Sequence, residues 1–269
     1  MFTLVSWNIQ YGKGVDGRID LGRIAQTVHK DGLPDVLCLQ EVSRNYPSTD
    51  EGADQVKELE NFFPDYESFF GAVHDRSGGK EKTRKQFGNL VLTRLSPVQV
   101  LHHLLPSPAD PKARFMSRQI AELVIPADTT ELRVMTTHLE FFSEIQQLAQ
   151  IQRIREIHEE ASCQFHFPGK DMPDTPFELV KRPENTVICG DFNFTPDSTS
   201  YRKMTARFSE KNMDLVDAWR THQKDNAHTP TCGIFDHKQW KKGPHCRDYF
   251  FISQSLAQKI NQVSVNTET

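Results

Sequence analysis

Polar side chains recur at the ends of apolar runs in this sequence. An apolar run at 187–189 leads directly to Asp191 and Asn193, with only Phe192 between them. A carboxylate at the end of a buried strand costs free energy unless a positive charge or a hydrogen-bond donor meets it. Further polar residues border other apolar runs, namely Asn8, Gln40, Glu41, His138 and Asp248. Because Asp248 precedes its run, an antiparallel strand there would bring all these positions to one edge of a sheet.

The residue types at these positions favour a divalent cation. Taken singly, each has an ordinary explanation as a turn residue, a helix cap, a solvated strand end or a structural histidine. Three carboxylates combined with amide and imidazole groups instead indicate a metal site. Hard oxygen ligands suit Mg²⁺, with Mn²⁺ as an alternative, whereas Zn²⁺ favours more histidine and cysteine.

A zinc site is the alternative interpretation of Cys232, His237, His245 and Cys246. Their spacings, a Cys-x4-His and an adjacent His-Cys pair, match no zinc ribbon or zinc finger. We therefore do not expect these four residues to bind a metal.

The elements that must position these side chains are short strands alternating with amphipathic helices. Strands are predicted at 2–9, 35–42, 66–73, 88–94, 98–104, 117–125, 132–139, 186–191, 248–253 and 260–265. Helices are predicted from Asp20 to Gly32, at about 54–63, from Ser143 onwards, and around 201–208. Continuously apolar strands indicate cover on both faces, so we expect two packed sheets with helices outside.

Composition limits the classes of protein to consider. The 269 residues carry a net charge of -4, so no overall basic field gathers nucleic acid. We find no linker, repeat, signal peptide or membrane span, and expect one domain over 1–269 that is a monomer. The five cysteines are odd in number and show no framework spacing, which predicts free thiols in a cytoplasmic protein.

Six short motifs occur in the order found in the endonuclease/exonuclease/phosphatase superfamily, which the chain resembles over residues 2–253. They are Trp7-Asn8, Leu39-Gln40-Glu41, Gly88-Asn89, Thr137-His138-Leu139, Gly190-Asp191-Phe192-Asn193 and Arg247-Asp248-Tyr249. The resemblance implies an α/β fold, a four-layered α/β sandwich of two packed mixed β-sheets flanked by helices, as in DNase I. It also implies Mg²⁺-dependent hydrolysis of a phosphoester.

The resemblance implies a role for each motif residue near the metal and the water. Glu41 would bind Mg²⁺, and Asn8 beside it would hold the phosphate or contribute to the metal shell. Asp191 would orient and deprotonate the attacking water, and Asn193 would fix the phosphate or that water.

Four further residues receive roles by the same resemblance. His138 would donate to a phosphoryl oxygen whose negative charge grows in the transition state. Asp248 would orient a catalytic histidine. Asn89 would lie in the floor of the site, and Tyr249 would contact the substrate.

The substrate is less well defined, because this fold hosts many chemistries. Thr137-His138-Leu139 resembles the DNase I, sphingomyelinase, phosphatase and deadenylase branches more than the abasic-site repair enzymes. The charged loop 80–85 is either a contact for a polyanionic substrate or a solvated loop. Nucleic acid and small phosphorylated molecules both remain as substrates, and a catalytically silent ligand-binding or partner-binding protein is the alternative function.

One motif of the resembled family is missing from the sequence. A Ser-Asp-His motif, whose histidine partners the residue matching Asp248, would follow the 260–265 strand, and it occurs nowhere in this chain. Either a short C-terminal segment is lacking or the protein diverges here, and we favour the first. We expect the 269-residue form to fold, to bind Mg²⁺ weakly and to be severely impaired in catalysis.

Overall fold

Ten strands form two mixed β-sheets in the computed structural model, which describes residues 1–79, 83–127, 130–210 and 213–268. The first sheet has the order β1 (Leu4–Asn8), β2 (Val36–Arg44), β4 (Arg84–Thr93), β3 (Glu67–Ser77). The second has the order β5 (Gln99–Leu104), β6 (Gln119–Ala127), β7 (Thr130–His138), β8 (Thr186–Asp191), β10 (Asp248–Ser253), β9 (Leu215–Asp217). The β1–β2 and β7–β8 pairs are parallel and the other pairs are antiparallel.

Five α-helices lie in the described residues, and the first four cover the outer faces of the two sheets. They are α1 (Leu21–Asp31), α2 (Gln55–Phe62), α3 (Glu144–His166), α4 (Thr199–Met204) and α5 (Ala218–Gln223), with 3₁₀ turns at Gln10–Gly12 and Gln254–Lys259. Asp20, Asp54 and Ser143 cap the first three helices, each side chain accepting a hydrogen bond from the backbone N–H three residues later. These caps satisfy donors that the first helical turn leaves unpaired, and they fix where each helix begins.

Three apolar clusters hold the layers together. The first sheet packs on α1 and α2, and the second packs on α3 and α4. Between the sheets, residues such as Cys38 and Val91 of the first face Ala121, Val134 and Cys189 of the second. The predicted four-layered sandwich is therefore confirmed.

The C-terminal region differs from the prediction. The strand predicted at 260–265 is wrong, because Ile260 and Val263 pack against the inter-sheet cluster without pairing to a strand. Strand β9 and helix α5 were not predicted, since three and six residues are too short for a periodicity to emerge. Across the described residues, no helix combines the length and the apolar character that crossing a membrane requires.

Candidate active site

Asn8, Glu41, His138 and Asp191 converge at one edge of the two sheets. The Asn8 amide nitrogen donates to Glu41 Oε1 and to Asp191 Oδ2, both at 2.9 Å. His138 Nε2 lies 3.7 Å from Asp191 Oδ2, and His138 Nδ1 lies 4.0 Å from Glu41 Oε1. The structure therefore brings together four of the polar residues that border apolar runs in the sequence.

A break in strand pairing places Glu41. The register of β2 against β4 shifts between Leu39 and Val42, as in a β-bulge, and Glu41 adopts a positive φ of 60°. The neighbouring Gln40 is fully buried and donates to Thr136 Oγ1 at 3.0 Å. Because a positive φ is unfavourable for a residue with a side chain, the bulge holds Glu41 in a conformation that regular pairing would not give.

The end of β8 is equally constrained. A Cβ at Gly190, which has a φ of 137°, would lie 1.9 Å from the Thr137 carbonyl oxygen. Beyond it, the backbone N–H of Asn193 donates to Asp191 Oδ1, and the Asn193 side chain donates to the Leu139 carbonyl, both at 2.9 Å. These bonds fix the Asp191 carboxylate and leave its other oxygen to face Asn8 and His138.

The two carboxylates sit in an environment that disfavours their charge. Burial raises the pKa of Asp191, and the hydrogen bond from Asn8 only partly offsets that rise. Burial also raises the pKa of Glu41, and the nearby charge of Asp191 raises it further. A cation placed between these groups would relieve both effects, because it supplies the missing positive charge.

His138 is neutral at physiological pH in this structure. Burial, together with the positive charge of Arg118, holds its pKa well below the ordinary value of 6.5. Both of its ring nitrogens lie beyond hydrogen-bond distance of the neighbouring carboxylates. A neutral imidazole N–H remains available to donate to a substrate oxygen.

Asp248 lies directly across from Asp191 on the antiparallel strand β10. Its Oδ2 accepts a hydrogen bond from Thr231 Oγ1 at 2.6 Å. Burial raises the pKa of Asp248 well above its ordinary value, and the charge of Asp191 adds to that rise. Among the described residues, no histidine hydrogen-bonds to the Asp248 carboxylate.

Asn89 and Tyr249 occupy different environments. Asn89 is buried on β4 and borders a small cleft that it shares with Arg118 and His138. Tyr249 is 4% exposed, and its hydroxyl donates to the Phe194 carbonyl at 3.0 Å. Since side chains alternate along a strand, Tyr249 lies on the face opposite to Asp248, where its ring packs in the apolar cluster of the second sheet, and its contact with substrate stays a prediction.

Arg118 is a site residue that the sequence patterns did not indicate. It is 5% exposed, its Nε lies 3.4 Å from Glu140 Oε2, and its Nη1 is buried without a hydrogen-bond partner in the described chain. Its charge acts on both Glu41 and Asp191, and burial lowers its own pKa. A buried guanidinium N–H without a partner is costly, so Arg118 is suited to bind an anion. Its position one residue before β6 is the only sequence signal, and that signal is weak.

Two of the residues considered for zinc, Cys232 and His245, contact each other, and His245 also contacts Arg247. His245 Nε2 accepts from Arg247 Nε at 2.8 Å and lies 3.4 Å from Cys232 Sγ. Burial raises the pKa of Cys232 and of Cys246 to about 12 each, which disfavours the thiolates that zinc requires.

The donor set can be compared with the needs of Mg²⁺. No cluster of three or more histidine, cysteine or acidic side chains across 1–79, 83–127, 130–210 and 213–268 is placed to enclose a metal. Mg²⁺ commonly binds through one or two carboxylates, water and substrate phosphate, and needs no closed protein cage. The partly buried Glu41 carboxylate, with Asp191 joined to it through Asn8, fits that mode. The charged loop at 80–85 includes residues 80–82, which lie outside the described part of the chain.

Comparison with known proteins gives a family and a set of structural relatives. The family model described as Endonuclease/Exonuclease/phosphatase family matches residues 5–267. A comparison with curated protein sequences gave no match. An endonuclease/exonuclease/phosphatase from Beutenbergia cavernae superposes with a TM-score of 0.66 at 19% identity, covering 94% of this chain and 64% of that one.

Two further relatives have more specific descriptions. A mannosyl-6-phosphatase from Bacteroides thetaiotaomicron gives a TM-score of 0.62 at 19% identity, covering 95% of this chain and 86% of that one. A truncated TDP2 from Caenorhabditis elegans gives 0.59 at 21% identity, covering 94% and 83%. At such low identities, these likenesses establish a shared fold.

Proposed function

Because the chain belongs to the endonuclease/exonuclease/phosphatase family, we propose that it is a Mg²⁺-dependent hydrolase of phosphoesters, with Mn²⁺ as the alternative ion. The observation that carries this proposal is the Asn8 bridge, which holds Glu41 and Asp191 side by side with neutral His138 and cationic Arg118. The bound cation would neutralise phosphoryl oxygens and stabilise the leaving alkoxide. In this proposal Glu41 holds it, with Asn8 at its side.

Asp191 is the proposed general base. Its Oδ1 is fixed by the Asn193 backbone N–H, while Oδ2 faces the site. A raised pKa increases its basicity, which favours removal of a proton from water. His138 and Arg118 would donate to the phosphoryl oxygens as their negative charge grows. Asn193 and Asn89 complete the proposed phosphate site. The proposed role of Asp248 is to orient a histidine side chain.

The substrate class, the cellular compartment and the oligomeric state are also proposals. One structural relative is a mannosyl-6-phosphatase, which supports small phosphorylated molecules beside nucleic acid as substrates. All five cysteines are free thiols, which supports a reducing, cytoplasmic setting. We propose a monomer.

A catalytically silent binding protein is the second candidate. It is favoured by one observation, that no described histidine hydrogen-bonds to the Asp248 carboxylate. Such a protein would keep the metal and phosphate sites without turning over the substrate.

Release of 4-nitrophenol from bis(4-nitrophenyl) phosphate separates the two functions. The proposed hydrolase shows release that requires Mg²⁺ or Mn²⁺, and Asp191→Asn lowers turnover by at least about a hundredfold while metal binding is nearly intact. Asp197→Asn, at an exposed aspartate of the following loop, is the matched control. Metal binding without any release would favour the silent protein. A panel of DNA, RNA, sphingomyelin and inositol phosphates would then assign the substrate.

A further inference from the structure

A group of aromatic rings borders the proposed phosphate site. Phe141, Phe142 and Trp240, which we call the aromatic rim, lie beside the site, because Arg247 contacts the Phe141 and Trp240 rings and also donates to the Asn193 carbonyl. Phe141 is 42% exposed and Phe142 is 54% exposed. Exposed apolar surface beside a polar site is a common feature of ligand-binding grooves.

The rim is held rigidly in place. The backbone N–H groups of Phe141 and Phe142 donate to Glu140 Oε1 at 2.9 and 2.8 Å, and Glu140 also pairs with Arg118. The two phenylalanine rings meet edge to face with centroids 5.0 Å apart. Trp240 meets Phe141 edge to face at 5.9 Å. The backbone that carries the two phenylalanine rings is therefore held by the same carboxylate that pairs with Arg118.

Cationic side chains lie between the rim and Asn193, which follows Asp191 in the chain. The Arg247 guanidinium lies 5.0 Å from the Phe141 ring centroid and 4.7 Å from the Trp240 centroid. Arg247 Nη1 also donates to the Asn193 carbonyl at 2.8 Å, two residues after Asp191. Arg114 lies over the Phe142 ring at 5.5 Å. The rim thus combines apolar faces with positive charge, which suits a planar group attached to a phosphate.

We propose that the aromatic rim binds a planar aromatic group that is joined to the phosphoester of the substrate. The inference rests on the proposed function, because the phosphate site defines where the rest of the substrate lies. The partly exposed phenylalanine rings offer a hydroxyl-rich sugar or inositol no hydrogen bonds, whereas such rings stack favourably on a nucleobase or an aryl ring. The positive charge of Arg114 and Arg247 complements the phosphate at the start of that group.

Two matched pairs of ligands test the proposal by calorimetric binding in the presence of Mg²⁺. Phenyl phosphate and methyl phosphate differ by the aryl ring, and uridine 5′-monophosphate and ribose 5-phosphate differ by the base. We expect the aromatic member of at least one pair to bind about tenfold more tightly, since stacking of one base contributes on this scale. The pair that shows the preference distinguishes an aryl group from a nucleobase.

Variants of the rim test whether its rings cause the tighter binding of the aromatic ligands. Phe142→Leu, and in a second variant Phe141→Leu, should abolish it, because leucine keeps apolar volume and removes the ring. Binding of methyl phosphate should stay unchanged. Phe167→Leu, at an 83% exposed phenylalanine outside the rim, is the control and should keep the preference.

The outcomes separate this inference from the proposed function. Equal binding within both pairs, or a preference that survives both variants, overturns the rim proposal even if the protein hydrolyses phosphoesters. A preference that the variants abolish supports the rim even if no hydrolysis is found.

Discussion

The Asn8 amide nitrogen lies 2.9 Å from Glu41 Oε1 and 2.9 Å from Asp191 Oδ2, so one side chain separates two acidic groups. Its two N–H bonds stabilise the charged form of each carboxylate in a site where burial raises both pKa values. The first sheet contributes Asn8 and Glu41, and the second contributes Asp191. This contact therefore also joins the two sheets at the site.

Replacing the amide by a third carboxylate should change the metal response. In Asn8→Asp we expect the metal-free protein to lose about 2 kcal/mol or more of stability, because a donor becomes a buried like charge. Mg²⁺ should then raise the Tm of the variant by more than it raises the Tm of the wild type. Thermal unfolding with and without Mg²⁺ measures both effects. Asn226→Asp, at an exposed position, is the control, and an unchanged metal-free Tm in Asn8→Asp would contradict the bridging role.

Glu41→Ala should weaken Mg²⁺ binding and abolish activity with little loss of fold stability. Removing this carboxylate relieves repulsion with Asp191 in the metal-free protein, so the metal-free Tm is expected to stay constant or to rise. Alanine keeps a Cβ at the positive φ of this position, so the backbone strain is largely retained. Metal titration and thermal unfolding measure the two effects, with Glu159→Ala on the exposed side of α3 as control. A large fall in the metal-free Tm would instead identify Glu41 as a structural residue.

Arg118→Met should weaken the interaction with the substrate phosphate and should raise the pKa of Asp191. The variant removes a buried N–H that has no partner in the described chain, and we expect kcat/KM to fall about tenfold or more. The Arg118 charge lowers the pKa of Asp191, so its removal should move the acidic limb of the pH–rate profile to higher pH. Arg207→Met, at an exposed arginine, is the control. An acidic limb that does not move would place Arg118 outside the electrostatic environment of the base.

The convergence of the site could be predicted because it depends on strand ends. His138 and Asp191 end the parallel neighbours β7 and β8, so their side chains meet at one edge of the second sheet, whereas Asn8 ends β1 of the first sheet and meets them through the packing of the two sheets. The bulge at Glu41 could not be predicted, because it depends on a register shift against β4, a distant partner in sequence. Arg118 was missed for the same reason: its role comes from Glu140 and from the carboxylates of other strands.

A prediction about stability concerns His158, which lies on the buried face of α3 and has no role in the proposed chemistry. Its Nδ1 accepts from Arg133 Nη2 at 2.7 Å and its Nε2 donates to the Met213 carbonyl at 3.0 Å. Burial lowers the pKa of His158 from 6.5 to about 3, so the folded protein keeps it neutral while the unfolded chain takes up a proton. Stability is fully present above pH 6.5 and falls with decreasing pH down to about 3.

The expected contribution of His158 is about 2 kcal/mol lost between pH 6.5 and about pH 5. His158→Gln should flatten this part of the stability curve measured by urea unfolding, at some cost in stability near neutral pH. His166→Gln, at the half-exposed end of α3, is the matched control and should leave the slope unchanged. A His158→Gln curve parallel to the wild type throughout would show that other buried groups cause the acid sensitivity.

The last prediction concerns Asp248, whose carboxylate accepts from Thr231 Oγ1 at 2.6 Å and has no histidine partner in the described chain. If its role is to orient an imidazole beside Asp191, imidazole added to the solvent should bind there and raise the metal-dependent rate several-fold. The raised pKa of Asp248 favours this response, because an uncompensated buried carboxylate gains from a donor N–H. In Asp248→Asn the rate increase should disappear, whereas Asp236→Asn, at a surface loop, should keep it. The rates are measured by nitrophenol release at constant free Mg²⁺. A wild-type rate that is high without imidazole and unaffected by it would mean that the residues already present complete the catalytic site.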